Sequence, residues 1–286
     1  MYIEGIVLLL LFILFVWVGF QKTLREIYVP RKHLEDRDET VLTFNIKKFP
    51  WSWKSFGSPE INRLIRRHSI VCLQECFDEA FHALEHYFPH YYISRGTLKG
   101  FKLFNSGLAI LSKYPILEAE FHPYRDCNRC SCDMLSEKGF LSILIDMGKK
   151  GHVRIINTHL QSSDYERFDK KAILQMTQLL NYLKTLQDPY LVGGDFNIDV
   201  HDMDKLSIIG ETNCSYSKDP TVYINFKKGT TSADHVALHE PLCFDYFIHS
   251  GLHIERPMVI KSSFSDHQAV GTRYEIMHKE IEKDLI

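Results

Sequence analysis

Several short apolar runs in this sequence end in a residue that can hold a hard cation or move a proton. Asn45 closes TVLTFN, Glu75 closes IVCLQE, His159 closes VRIINTH, and Asp195 and Asn197 close LVGGDFN. Asp245 lies within CFDYF, and Asp266 with His267 precedes the last apolar run. A strand that ends in a carboxylate, amide or imidazole carries that group to the rim of its sheet, where several can converge. The set consists of oxygen donors and imidazoles, with no thiolate. That combination favours Mg²⁺, or Mn²⁺, over zinc. Taken singly each residue has an ordinary explanation, because Asn and Asp commonly open loops and an isolated His is commonly structural. The argument rests on the set.

The runs that carry these groups alternate with helical segments. Ser58, Pro59 and Glu60 form a helix start, predicting a helix to about His68. A short amphipathic stretch covers Asp78–Tyr87, and GLAILS follows as a strand. FLSILIDM and HVRIINTHL read as neighbouring strands joined by the Gly148–Gly151 turn. Ser163 and Glu166 have capping-box spacing and open a long helix, with Ala172, Met176, Leu179, Leu180 and Leu183 on its buried face. YLVGGDFN, CFDYFIH and QAVGTRYEI supply late strands. Strands are too many, and helices between them too few, for a doubly wound sheet. Two packed sheets with helices outside fit better.

The amino terminus is of another kind. Gly5–Phe20 carries no charge and no polar stripe, which argues against a core helix. A cleaved signal peptide would have a basic start and small residues before the cut, and neither is present. Residues 1–20 therefore read as a transmembrane anchor, short for a bilayer core of about 30 Å. Lys22, Arg25, Arg31, Lys32 and Arg37 follow it, so the positive-inside tendency puts the remainder in the cytosol. Its shortness suits a thin intracellular membrane. The predicted organisation is an anchor (1–20), a juxtamembrane linker (21–38), a catalytic domain (39–277) and a charged tail (278–286) forming a peripheral helix.

Lys and Arg number 34 against 36 acidic residues, a net charge of -2, which weighs against a module that lives by blanketing nucleic-acid phosphates. Seven cysteines, an odd number, do not describe a secreted disulfide scaffold. Cys127, Cys130 and Cys132 offer three sulfurs, and a structural zinc would need a remote fourth ligand such as His122 or Cys214. Reduced thiols in a loop explain them more simply. The lysine pairs Lys47–Lys48, Lys149–Lys150 and Lys227–Lys228 read as solvated turns that could also meet anionic lipid. Trp51 and Trp53 suit either a loop dipping into headgroups or ordinary packing.

Asn45, Leu73-Gln74-Glu75, Asn157-Thr158-His159, Gly194-Asp195-Phe196-Asn197 and Ser265-Asp266-His267 occur in that order. Together they resemble the endonuclease/exonuclease/phosphatase superfamily of metal-dependent phosphodiesterases, from about Glu39 to Glu275. The resemblance implies an α+β fold, a four-layer αββα sandwich of two mostly antiparallel sheets flanked by helices, here with an N-terminal transmembrane helix. It implies that Glu75 and Asn45 hold the ion and that His267 is the general base, its near-neutral titration suiting the task. Asp245 would orient His267, with Asp266 beside it. Asp195 would position the nucleophile or a second ion, and Asn197 and His159 would donate to phosphoryl oxygens.

Within the superfamily, Ser106–Leu108 with Leu111–Ile116, and Asp133 followed by Lys138-Gly139, resemble the neutral sphingomyelinases. There the matching Asp and Lys help position the active site. With the anchor, this implies a membrane lipid as substrate: sphingomyelin split to ceramide and phosphocholine. The rivals are a nuclease or DNA-end phosphodiesterase of the same chemistry and a catalytically silent scaffold, which would have lost catalytic positions.

Overall fold

Side-chain alternation along the first long strand sets the architecture. In β1 (Thr40–Lys48), Val41 packs into one apolar cluster while Leu42, Phe44 and Ile46 pack into another. In β2 (Ile70–Cys76), Ile70 and Cys72 join the first cluster and Val71 and Leu73 the second. Both strands are thus buried on two faces, so their sheet must have a layer on each side. The computed structural model describes residues 27–28, 39–48, 58–77, 88, 90–94, 105–126, 136–163, 170–203, 213–225, 227–228 and 230–277. The anchor over 1–20, the amphipathic stretch 78–87, Glu166 of the capping pair and the tail 278–286 lie outside the described residues.

The remaining principal strands are β3 (Leu108–Ser112), β4 (Ile116–Pro123), β5 (Gly139–Asp146), β6 (His152–His159), β7 (Tyr190–Asp195), β8 (Asp245–Ser250) and β9 (Ala269–Ile276). An eight-stranded sheet has the central order β3-β2-β1-β9. Ile27–Tyr28 and His90–Ser94 extend it beyond β3, and Leu252–Ile254 and Met258–Ile260 both pair with β9. A six-stranded sheet runs Asn213–Ser215, β8, β7, β6, β5, β4. A three-stranded sheet places Val222–Asn225 between Thr230–Ser232 and Glu240–Leu242. Only β1/β2 and β6/β7 pair in parallel; the other described pairs are antiparallel.

The two large sheets face each other across a core that includes Val41, Ile110, Leu141, Ile143, Ile155 and Phe247. Helix α1 (Pro59–Arg66) buries Ile61, Leu64 and Ile65 against Leu42 and Phe44 on the outside of the first sheet. Helix α2 (Lys170–Leu183) buries Ala172, Met176, Leu179, Leu180 and Leu183 against Ile156, Val192 and Ile248 on the outside of the second. The layers are α, β, β, α. Among the described residues no helix is long and apolar enough to cross a membrane.

Helix α1 forms as expected from the Ser58 cap and closes at Arg66, and the His68 ring turns back to hydrogen-bond the Leu64 carbonyl at 3.0 Å through Nδ1. Other local expectations need correction. Strand β4 and the three-stranded sheet had no counterpart in the sequence reading. β4 is an edge strand with Leu117 and Glu118 exposed, so its composition carries little apolar alternation. The pair Lys47–Lys48 is no solvated turn: Lys48 is buried and Lys47 is paired.

The facing sheets are joined by amides as well as by hydrocarbon. Asn157 of β6 donates through Nδ2 to the carbonyls of Leu73 and Ala109 at 2.8 and 2.9 Å, and accepts from Gln74 Nε2 at 2.7 Å. Gln74 Nε2 also reaches Thr43 Oγ1 at 3.0 Å. Removing the Asn157 amide would leave buried groups of the opposite sheet without partners. We expect Asn157→Leu to cost roughly 2–4 kcal/mol of stability in urea unfolding. A loss under about 0.5 kcal/mol, the usual range for an exposed position, would show that the bridge does not stabilise the sandwich.

Candidate active site

Strand register brings the chemistry-bearing residues to one rim. Parallel β6 and β7 pair His159 with Asp195, and antiparallel β8 pairs Asp245 with the same Asp195. In the other sheet, parallel β1 and β2 pair Asn45 with Gln74, one residue before Glu75. β9 runs antiparallel to β1 with Val270 opposite Thr43, so His267 enters beside the end of β1. Gly194 makes the β6–β7 approach possible, since a Cβ there would lie 2.4 Å from the Thr158 carbonyl oxygen.

Two residues reach the site by leaving the pleat. Leu73 packs outward and Gln74 inward, so regular alternation would send Glu75 outward. Its φ of +49° turns it instead, and Asn197, also at +49°, breaks the pleat after Asp195. Left-handed backbone at non-glycine residues is costly and gathers at functional sites.

The side chains then converge. Asn45 Nδ2 donates to Glu75 Oε1 at 3.0 Å and to Asp195 Oδ2 at 2.9 Å, while its Oδ1 accepts from the Lys47 N–H at 3.1 Å. Asp195 Oδ1 accepts the Asn197 N–H at 3.0 Å. The Nε2 atoms of His159 and His267 each lie 3.6 Å from Asp195 Oδ2. His267 Nδ1 is 2.8 Å from Asp245 Oδ2, which fixes the ring with Nε2 facing Asp195. Asp266 Oδ2 accepts from Lys47 Nζ at 2.6 Å and from Thr231 Oγ1. Asn197 Nδ2 and Lys138 Nζ both donate to the Leu160 carbonyl, each at 3.1 Å. Lys138 therefore lies behind Asn197, buried, at one carbonyl's remove from the rim. Asp133 lies outside the described residues, as do Cys127, Cys130, Cys132, Trp51 and Trp53.

The electrostatics follow from burial. Desolvation raises Asp195 above the usual carboxylate range, against the pull of His267 and His159. Burial alone would lower His267, but the Asp245 and Asp195 carboxylates outweigh it and push the imidazole up to about 10. This departs from the near-neutral titration expected from sequence: a base held by this many carboxylates stays protonated until their charge is met. Burial would raise Asp266, yet His267 and Lys47 hold it well below the ordinary carboxylate range.

The donor set fits a hard divalent ion. Glu75 is half-buried, and its Oε2 makes no hydrogen bond among the described residues. Asp195, Asp245 and His267 also offer ligand atoms within 4.8 Å of one another, and Asp245 Oδ1 is buried without a hydrogen-bond partner. Carboxylate oxygens are the ligands that Mg²⁺ takes, with waters completing its shell. Asn45 differs from expectation: it meets the carboxylates as a donor, so the oxygens this arrangement offers are those of Glu75 and Asp195. A cation between them would favour the opposite face of the amide. No thiol group of this kind occurs among the described residues. Lys47 and Thr231 were missed by the sequence reading because neither sits in a motif. Only the closing of the sheets brings them to Asp266.

The chain belongs to the Endonuclease/Exonuclease/phosphatase family, whose pattern it matches over residues 42–267. It is 25% identical over 266 residues to Sphingomyelinase C 2 of Leptospira interrogans, covering 80% of this chain and 42% of that protein. The chain thus spans less than half the length of this curated relative. A Staphylococcus aureus beta toxin variant with bound magnesium ions superposes with a TM-score of 0.60 at 20% identity, over 83% of this chain and 99% of that one. D. rerio TDP2 complexed with a single-strand DNA product gives 0.61 at 14% identity, over 84% and 100%. These two likenesses concern the fold.

The raised imidazole has a consequence for metal-free protein. Its folded value, about 10, lies above the ordinary 6.5, so the His267–Asp245 pair contributes stability fully below about 6.5 and loses it as pH rises through 10. In chelator-treated protein we expect the His267 ring resonances to titrate near 10, and those of Asp245→Asn clearly lower. Wild-type titration near 6.5 would show that the carboxylates do not hold the proton.

Proposed function

We propose that this chain is a metal-dependent phosphoric diester hydrolase whose substrate is sphingomyelin, split in the phospholipase C manner to ceramide and phosphocholine. The observation that carries the chemistry is the convergence of Glu75, Asn45, Asp195, His159, Asn197 and the Asp245–His267 pair on one rim. The lipid substrate is supported by the sphingomyelinase relative, whose match covers most of this chain. Glu75 and Asp195, with Asn45, would hold Mg²⁺, or Mn²⁺ in its place, and the ion when bound supplies positive charge to the anionic phosphoryl group.

The protein groups do the rest. His267 accepts a proton from the attacking water at Nε2, the atom turned towards Asp195. Asp245 keeps Nδ1 protonated and the ring oriented. His159 and Asn197 donate to the phosphoryl oxygens as charge grows on them. The anchor reading of Gly5–Phe20 gives a single-pass protein with its catalytic domain on the cytosolic face of an intracellular membrane, which would hold the site near its lipid at high effective concentration.

The second reading, a DNA-end phosphodiesterase or nuclease, is favoured by the likeness to TDP2, a protein solved with a DNA product. The net charge of -2 supports it poorly.

One assay separates the readings. Purified protein is offered sphingomyelin in mixed micelles and supercoiled plasmid in parallel, with Mg²⁺ or with chelator. We expect Mg²⁺-dependent phosphocholine release without nicking. Nicking alone would transfer the assignment to nucleic acid, and silence on both would favour a scaffold. His267→Ala should lower turnover by at least ~10²-fold. Full turnover by that variant, folded, would remove His267 from the mechanism.

A further inference from the structure

His267 and Asp245 come from opposite sheets. Asp245 opens β8 in the six-stranded sheet, and His267 stands two residues before β9 in the eight-stranded one. β8 pairs with β7 and Asn213–Ser215, and β9 pairs with β1, Leu252–Ile254 and Met258–Ile260. Among the described residues no strand ladder joins β8 to β9. The 2.8 Å contact between His267 Nδ1 and Asp245 Oδ2 therefore spans two separately built halves. A base misplaced by an ångström loses most of its advantage, so something outside the two ladders must set this distance.

Thr221 is built to do so. It belongs to neither large sheet, immediately precedes Val222–Asn225 in the three-stranded one, and is fully buried. Its Oγ1 accepts the N–H groups of Phe244 and Asp245 at 3.1 and 3.3 Å. Its carbonyl accepts the N–H of Gln268, the residue after His267, at 2.8 Å. Its own N–H donates to the Leu242 carbonyl at 2.9 Å, continuing the register that pairs Val222 with Leu242. One residue thus bonds the backbone on both sides of the His267–Asp245 contact. A hydroxyl has the two lone pairs needed to take both N–H groups.

The rest of the small sheet braces the same two strands. Gln268 Nε2 donates to the Ala233 carbonyl at 3.1 Å, and its Oε1 accepts the Ser262 N–H at 2.7 Å. Thr231 Oγ1 reaches Asp266. Phe244, whose N–H meets Thr221, offers its carbonyl to the N–H of Phe196, next to Asp195, at 2.9 Å. Val222, Ile224, Leu242 and Phe244 pack as one apolar cluster, which fixes the small sheet against the start of β8.

We propose that Thr221 is a positioning residue for the general base, holding Asp245 and His267 at their working separation by bonding the backbone beside each. The inference rests on the role given to His267 above and goes beyond it by naming the residue that sets the geometry of the pair.

The test compares variants of nearly equal shape. Thr221→Val keeps the volume and removes the acceptor; Thr221→Ser keeps the acceptor. Thr221→Ala, which leaves room for a water, replaces the valine variant if that does not fold. Full-length protein in detergent micelles is given sphingomyelin in mixed micelles with Mg²⁺. A displaced base is still present, so the loss should be smaller than that of an absent one: kcat of Thr221→Val falls about 10-fold with KM unchanged, and serine restores it. The second readout needs no substrate. The His267 N–H held by a carboxylate is a strong, slowly exchanging hydrogen bond whose downfield proton resonance is identified by its loss in His267→Ala. That resonance should vanish or move in Thr221→Val and persist in Thr221→Ser. Wild-type kcat and an unmoved resonance in the folded valine or alanine variant would overturn the proposal, as would a change confined to KM. A wild-type protein silent on sphingomyelin would overturn the lipid reading instead, and the resonance would still decide for or against Thr221.

Discussion

Asp195 is a carboxylate almost fully withdrawn from water, and the site is arranged around making that tolerable. A buried anion without partners costs several kcal/mol, and such a group normally neutralises. Here one oxygen takes the Asn197 backbone N–H, and the other faces the Asn45 amide and two imidazoles. Those partners come from four places far apart in the chain. They meet only if β6, β7 and β8 hold their register and the tip of β1 is brought over from the facing sheet. The position of one desolvated carboxylate therefore constrains both sheets at once.

This explains why the interior between the sheets is not purely apolar. The Asn157–Gln74–Thr43 group and the carbonyls of Leu73 and Ala109 form a polar bridge near the functional end of the strands. Hydrocarbon alone tolerates sliding and repacking, whereas a set of directional hydrogen bonds accepts one relative placement of the sheets. A shift that broke the bridge would also part Asn45 from Asp195.

The charge pattern points to a site prepared for a cation. Asp195, Asp245 and Asp266 crowd the His267 imidazole, and among the described residues Lys47 and the imidazoles are the cationic groups set against them. The result is a histidine held protonated well above neutrality. Charge brought to Glu75 and Asp195 would reverse that balance, since a bound dication inverts the local preference of nearby titratable groups. On the proposed function, base strength and ion binding would thus be coupled through the same carboxylates.

The amino-acid sequence by itself determined which residues sit at strand ends, because apolar runs closed by Asn, Glu, His and Asp are local patterns that survive without a fold. It likewise determined the buried face of α2 and the two-sheet architecture, which follow from periodicity and strand count. Tertiary structure alone decided what sequence spacing does not encode. The turned backbone at Glu75 and Asn197 reversed a side chain that regular pleating would have sent outward. The pairing of Lys47 with Asp266 across 219 positions depended on β9 docking beside β1. The proton affinity of His267 depended on burial and on carboxylates from β7 and β8. Propensity and pattern act over a few neighbouring residues, whereas desolvation and Coulomb interactions depend on distances that exist only once the chain has closed.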